Sequence, residues 1–345
     1  MNDTGPADKG PHEPWANLAG GRVPRRPLRR IILQNTAALP TLMTLLNGIA
    51  GFAAIFYAAK LGLEPVLPPD LPASAAAALI EQWQAKALHY HTIAAWLIFA
   101  AMLCDALDGR LARMTRQATD FGAQLDSLCD AISFGVAPAM LMVYAVSITR
   151  QVPDFDILLP HSSVLGKAVM AVAIIYMCCA VLRLARFNIE NAPDVLSHLS
   201  FKGLPSPGAA ATVAAMVLLL NHMQHLVLDE GQRHPNQWIS ITVGVALPAV
   251  TLGVALLMVS RLRFPHLVNQ FIMGRRPFSY IYKAILVLLA AILFPQLTLA
   301  LVTVGYAASG PVGWLWRRFA PARTGHRPPT PAGHASHGGT PSAGT

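Results

Sequence analysis

The sequence has few charged residues for its length. Of its 345 residues, only 12% are Asp, Glu, Lys or Arg, whereas about a quarter of the residues of a soluble globular domain are charged. The hydrophobic fraction is 54%, and the apolar residues fall in long blocks separated by short polar stretches. This distribution excludes an ordinary soluble domain and is typical of an all-α protein that crosses a membrane several times.

Cysteine is also scarce, with only four residues in the chain. They lie within or beside apolar blocks and lack the spacing with histidine that zinc sites use. We therefore expect buried, reduced thiols. We also expect no cleavable signal peptide, because the first apolar block begins only after about 37 residues.

The net charge of +9 comes mainly from clusters of arginine. These clusters flank the apolar blocks, whereas a nucleic-acid-binding protein would carry them on a soluble face. The sequence therefore predicts a lipid bilayer as a partner and no nucleic acid.

Composition divides the chain into five segments. We predict a disordered N-terminus (1–23), a basic helix on the membrane surface (24–36), a catalytic core of six spans (37–260), a basic loop with C-terminal spans (261–320) and a disordered tail (321–345). The six core spans are expected at 39–60, 88–107, 124–148, 167–187, 207–228 and 239–260, because each is long enough to cross the hydrocarbon layer as a helix.

The stretch 279–316 is ambiguous, because Pro295 divides it into two short apolar pieces. These pieces form either one kinked helix or a hairpin of two spans. With an arginine-rich N-terminus in the cytoplasm, two further spans return Arg317 and Arg318 to the same side, so the positive-inside rule favours eight spans over seven.

Four aspartates lie where two of the apolar spans approach the same face of the membrane. Asp105 and Asp108 are spaced i, i+3, and Asp126 and Asp130 are spaced i, i+4, so each pair shares one helix face. A turn at 114–121 would bring the two faces together. Carboxylates at helix ends are often only interfacial charges, but two matching pairs interleaved with small residues are unusual.

Buried carboxylates that lie close together are costly unless they find partners. Two hard divalent cations, Mg²⁺ or Mn²⁺, would suit these oxygen ligands and a displacement at phosphorus. Gly109, Ala112 and Gly122 lack bulk, so a base and a diphosphate could approach the backbone. Arg113 is placed to pair with phosphate oxygens.

The same residues resemble the signature of the CDP-alcohol phosphatidyltransferase family, D-x2-D-G-x2-A-R-x8-G-x3-D-x3-D, at every fixed position. The fixed positions are Asp105, Asp108, Gly109, Ala112, Arg113, Gly122, Asp126 and Asp130. The resemblance implies a six-helix transmembrane core, commonly homodimeric, with its site open to the cytoplasm. It implies that Asp105, Asp108 and Asp126 ligate the metals and that Asp130 completes the metal site and acts as general base. It also implies that Gly109, Arg113 and Thr119 contact the head group of CDP-diacylglycerol.

Within this family the chain looks most like the branch that uses L-serine as the acceptor. The stretches RLARFN at 183–188 and FKGLPSPGAAA at 201–211 carry that likeness. The carboxylate of serine needs a cation, so we expect the acceptor site at Arg183, Arg186, Asn188 and Lys202. The alternative is that the arginines only anchor the fourth span. Thr44 and Asn47, one helical turn apart, either line the nucleotide site or form hydrogen bonds between helices.

These expectations together predict a multi-pass enzyme of the cell inner (cytoplasmic) membrane whose active site faces the cytoplasm. The nearest alternative is a sister transferase whose acceptor is glycerol 3-phosphate, choline or an inositol derivative. A transporter or a non-catalytic scaffold would explain the spans but not the interleaved aspartates and glycines.

Overall fold

The computed structural model describes residues 28–61, 68, 70–115, 120–149, 164–190, 203–229, 242–262, 264 and 279–319. Helices account for nearly all of this part of the chain. They are α1 (Leu28–Ala59), α2 (Ala73–Thr115), α3 (Asp120–Asp130), α4 (Ala137–Thr149), α5 (Val164–Glu190), α6 (Ser206–Asp229), α7 (Leu247–Val259), α8 (Ser279–Leu293) and α9 (Pro295–Phe319). Two π-helical turns, Ala131–Val136 and Thr242–Ala246, lead directly into α4 and α7.

Within the described part of the chain, six helical segments are long and apolar enough to cross a membrane. They are Leu39–Ala59, Ala73–Leu111, Asp120–Ser147, Gly166–Ile189, Ser206–Gln224 and Pro295–Trp316. The protein is therefore an all-α integral membrane protein, as predicted. The sixth expected span corresponds to the shorter apolar helix Gly244–Val259, and the seventh to α8, which has 15 residues. Eight spans therefore stay a prediction.

Two sequence-based boundaries differ from the structure. The loop expected over 61–87 is wrong in its second half, because α2 already begins at Ala73. The reason is local: the run ASAAAALIEQWQAKAL is rich in alanine and in other strong helix formers. Asp120, which lies within the turn expected at 114–121, is the exposed first residue of α3, where a negative charge stabilises the N-terminus of a helix.

The two ends of the chain are less fully described. Residues 1–23 and 321–345 lie outside the described residues. Of the segment 24–36, residues 28–36 belong to α1, which continues without interruption through Pro40. The placement of that segment on the membrane surface stays a prediction. At the other end, Pro295 does break the helix: α8 ends at Leu293 and α9 begins at Pro295.

Helices α1 and α2 run antiparallel and pack along most of their length. Near one end, His91 Nε2 lies 3.3 Å from the carbonyl oxygen of Ala58, and near the other, Thr44 lies beside Asp108. Helix α6 joins this pair through Asn221, whose Nδ2 donates to the carbonyl oxygen of Leu88 at 3.2 Å. Helix α9 packs against α6. Small side chains dominate the contacts, as is common where membrane helices approach closely.

Helix α1 also packs closely against α3 and the first π-helical turn. A Cβ atom at Gly48 would lie 2.9 Å from Sγ of Cys129, and one at Gly51 would lie 2.7 Å from Cα of Ser133. Both distances are shorter than a carbon atom tolerates, so glycine is required for this approach. The close packing brings the middle of α1 against the C-terminus of α3, where two of the aspartates lie.

Candidate active site

Three of the four aspartates form one carboxylate cluster. Asp105 and Asp108 come from the last turns of α2, and Asp126 comes from α3. One carboxylate oxygen of each lies within 4.8 Å of the others. Asp108 is buried, with 5% of its surface exposed, and the other two are partly buried. The spacing on each helix and the approach of the two helices together produce this arrangement.

Some oxygens of this cluster have no protein partner. Oδ2 of Asp108 and Oδ1 of Asp126 are buried and meet no hydrogen-bond donor in the part of the chain that the structure describes. An ionised carboxylate only accepts hydrogen bonds, so neighbouring carboxylates cannot satisfy one another. Three oxygen ligands at this separation, two of them on groups with a buried unpartnered atom, fit a hard divalent cation of the Mg²⁺ type.

Asp130 is adjacent to the cluster but is held differently. It is the last residue of α3 and is buried, and its charge is close enough to interact with Asp105 and Asp126. Its Oδ1 accepts a hydrogen bond from Nδ2 of Asn47 at 2.8 Å. Asn47 is completely buried, and its bond to Asp130 joins two helices. A hydrogen bond between helices was one of the two interpretations of its sequence position. A role in nucleotide binding stays a prediction.

A π-helical turn, Ala131–Val136, follows Asp130 directly, and no periodic pattern in the sequence predicted it. Within this turn, Oγ of Ser133 donates to the carbonyl oxygen of Asn47 at 2.9 Å. The carbonyl oxygen of Phe134 accepts from the hydroxyl of Tyr176 at 3.1 Å. π-Helical turns inside α-helices are frequent at functional sites. Here the turn connects the end of the aspartate helix to both α1 and α5.

The residues predicted to hold the nucleotide are described unequally. A Cβ atom built at Gly109 would meet nothing within 4 Å among the described residues, so as far as they show, a ligand can approach its backbone. Gly122 lies on the first turns of α3, and Thr44 is buried on α1 beside Asp108. Ala112 and Arg113 belong to α2, but the structure does not describe their side chains. Thr119 lies outside the described residues.

The predicted acceptor residues Arg183, Arg186 and Asn188 lie on the last turns of α5, and Lys202 lies outside the described residues. Nδ2 of Asn188 donates to Oγ of Ser127 at 2.9 Å. Ser127 directly follows Asp126, so this bond joins the expected acceptor residues to the carboxylate cluster. The sequence analysis missed Ser127, although its position beside a predicted metal ligand was a signal.

Arg183 also has a neighbour beyond the core. It interacts electrostatically with Tyr306 of α9, whose ring lies against Gly208 at the start of α6. The C-terminal helix therefore reaches the same end of the bundle as the carboxylate cluster and α5.

Comparison with known proteins agrees with the geometry. Residues 37–250 match the family described as CDP-alcohol phosphatidyltransferase.

Three similar proteins are each named CDP-diacylglycerol–serine O-phosphatidyltransferase. That of Helicobacter pylori (strain ATCC 700392 / 26695) is 36% identical over 174 residues, which are 50% of this chain and 61% of that protein. That of Methanocaldococcus jannaschii is 31% identical over 219 residues, 64% of this chain and 83% of the relative. That of Bacillus subtilis (strain 168) is 34% identical over 182 residues, which are 52% of this chain and 79% of that protein. The match thus spans less than two thirds of the Helicobacter protein.

Proposed function

Because the chain belongs to the CDP-alcohol phosphatidyltransferase family, we propose that it transfers the phosphatidyl group of CDP-diacylglycerol to the hydroxyl of L-serine. The products are phosphatidylserine and CMP. The observation that carries this proposal is the carboxylate cluster of Asp105, Asp108 and Asp126, with its buried, unpartnered oxygens beside the open backbone at Gly109.

The cluster is suited to hold the metal ions of such a reaction. Asp105, Asp108 and Asp126 would ligate them, and Asp130 would complete the set. When bound, two Mg²⁺ or Mn²⁺ ions neutralise the diphosphate and the charge that develops on the leaving group. The small residues Gly109 and Gly122, with Ala112, would admit the nucleotide, and Arg113 and Thr119 would contact the head group. Thr44, beside Asp108, would border the same space.

Asp130 is the proposed general base. The serine oxygen forms a bond to the phosphorus that carries diacylglycerol, and the bond from that phosphorus to the CMP oxygen breaks. The serine hydroxyl proton passes to the carboxylate of Asp130, and CMP leaves with the bonding electrons. A positioned base of this kind contributes about 10²- to 10⁴-fold to a rate.

The acceptor site is proposed at the end of α5. Arg183 and Arg186 would bind the serine carboxylate, and Asn188 would fix this helix end against α3 through Ser127. Lys202 would add a further positive charge. Support for serine comes from the names of the similar proteins and from the polar link between α5 and the aspartate helix.

The setting of the reaction is part of the same proposal. The protein would lie in the inner (cytoplasmic) membrane as a homodimer, with the carboxylate cluster facing the cytoplasm. The arginine distribution of the sequence supports this orientation.

The acceptor can be tested directly. Purified protein in detergent is supplied with CDP-diacylglycerol and Mn²⁺ or Mg²⁺, and CMP release is compared for serine, glycerol 3-phosphate, choline and inositol phosphate. We expect release with serine and none after chelation of the metal. Release with another acceptor alone would replace serine in the proposal, and no release with any acceptor would favour a non-catalytic role.

The general base has its own test. Asp130→Asn should reduce transfer by at least about 100-fold, while CDP-diacylglycerol still raises the thermal stability of the variant. Near-normal turnover by this variant would show that another group takes the proton.

A further inference from the structure

Asparagine 47 is a costly residue at its position. Its side chain is completely buried, and its Oδ1 meets no hydrogen-bond donor among the described residues. A buried polar atom without a partner lowers stability compared with an apolar side chain of similar shape. The oxygen of Asn47 therefore lowers stability, and the contribution of the asparagine has to be sought in what its other atom does.

That other atom, Nδ2, contacts the carboxylate that the proposed mechanism uses as a base. It donates to Oδ1 of Asp130 at 2.8 Å. An amide nitrogen can only donate, so this contact occupies one acceptor site of Oδ1 and leaves Oδ2 better placed to take a proton. A single fixed donor therefore sets the rotation of the Asp130 carboxylate.

The donor itself is held in place by its surroundings. The carbonyl oxygen of Asn47 accepts a hydrogen bond from Ser133, three residues after Asp130, at 2.9 Å. The next residue, Gly48, and Gly51 allow α1 to approach α3 and the π-helical turn so closely that a Cβ atom would collide at either position. The amide and the carboxylate are thus fixed to each other from both sides.

From this geometry we infer that Asn47 is a positioning residue, which orients the carboxylate of Asp130 toward the acceptor hydroxyl and does not bind the nucleotide. The inference rests on the proposed function and extends it. The rate of phosphatidyl transfer would then depend on the orientation of the Asp130 carboxylate. A small misplacement of a catalytic group can lower a rate by about 100-fold.

The test compares two buried asparagines that each link helices. Asn47→Leu removes the donor to Asp130, and Asn221→Leu removes a donor to the Leu88 carbonyl, far from the aspartates. We expect Asn47→Leu to lower kcat by about 10- to 100-fold, with the KM for CDP-diacylglycerol changed less than about twofold. Asn221→Leu should keep the wild-type kcat. Asn47→Ala, which cannot overpack the contact, should reproduce the loss in kcat if leucine disturbs the fold.

A second readout does not depend on turnover. CDP-diacylglycerol with Mn²⁺ should raise the melting temperature of Asn47→Leu and Asn47→Ala as much as that of the wild type. Loss of this shift together with a raised KM would instead make Asn47 a nucleotide-binding residue. Unchanged kcat in both variants would overturn the positioning role while leaving the proposed function intact. If the wild type itself releases no CMP with any acceptor, the function fails first and the inference fails with it.

Discussion

The contact between helices α1 and α2 carries buried polar groups of opposite kinds at its two ends. Near one end, Nδ2 of Asn221 donates to the carbonyl oxygen of Leu88 in α2 and lies 3.3 Å from Oγ1 of Thr92. About 30 Å along the same helix, Asp105 and Asp108 face Asp126 with buried oxygens that meet no donor in the described residues. At the first end, which we call the closed end, Asn221 bonds within the protein, although Nδ1 of His91 meets no partner among the described residues. At the second, which we call the open end, the carboxylate oxygens of Asp108 and Asp126 meet no donor there.

The difference lies in the chemistry of the side chains. Amides and hydroxyl groups both donate and accept, so neighbouring helices can satisfy them and gain stability from the contact. Ionised carboxylates only accept, so a group of them cannot satisfy one another and needs donors or cations from elsewhere. The comparison teaches that hydrogen-bonded polar residues in this bundle hold the fold, whereas the carboxylate oxygens of Asp108 and Asp126, which meet no donor among the described residues, are available to a cation.

The largest effect should come from the open end. Asp108→Asn is expected to reduce metal-dependent CMP release by at least about 100-fold, since it removes a charged ligand from the place where charge develops. Its thermal stability without metal should equal or exceed that of the wild type, because one of three repelling carboxylates is gone. Activity and melting temperature, measured on the same preparation, check both statements. A variant that loses stability and activity in parallel would break the comparison.

An intermediate case lies between the two kinds. Ser127 and Asn188 form a hydrogen bond within the protein, yet they lie beside Asp126 at the open end. Ser127→Ala should raise the KM for serine by about fivefold, the equivalent of one hydrogen bond of ~1 kcal/mol, and leave the KM for CDP-diacylglycerol unchanged.

The control for that variant is Ser147→Ala in α4, which removes a hydroxyl that donates to the nearby carbonyl oxygen of Tyr144. Steady-state kinetics with each substrate varied in turn give both constants. If Ser127→Ala lowers only the melting temperature, the Ser127–Asn188 bond belongs with the structural contacts.

The smallest effect should come from the closed end. Asn221→Leu is expected to lower the free energy of unfolding by about 0.6–1.7 kcal/mol, the range measured for hydrogen bonds between membrane helices. CMP release should be unchanged at temperatures where the variant stays folded. Denaturation in detergent micelles measures the first quantity, and loss of activity in the folded variant would contradict the division between the two ends.

Much of the architecture was predictable because hydrophobic length is a direct physical requirement of the bilayer. The apolar blocks predicted helices in the right places, and the i, i+3 and i, i+4 spacing predicted the faces that bring Asp105, Asp108 and Asp126 together. The extension of α2 back to Ala73 was missed because the expected span was drawn from hydrophobicity alone. Alanine has a strong helix propensity but only modest hydrophobicity.

The contacts around Asp130 were less predictable, because they depend on how closely two distant segments approach. Asn47 and Asp130 are 83 residues apart in sequence, and no local pattern specifies which atom of the amide meets the carboxylate. Ser127 escaped for a similar reason, since its partner Asn188 comes from another helix. Gly48 and Gly51 permit a close approach, but only the structure identifies Cys129 and Ser133 as what approaches them.

The contacts beside Asp126 and Asp130 depend on the number of residues in the π-helical turn at Ala131–Val136. A π-helical turn contains one residue more than an α-helical turn at the same position in a helix would. Deleting a single residue there would restore a regular α-helical turn and would displace Ser133 and Phe134 from their hydrogen bonds with α1 and α5. The segment should therefore tolerate changes of side chain far better than any change of length.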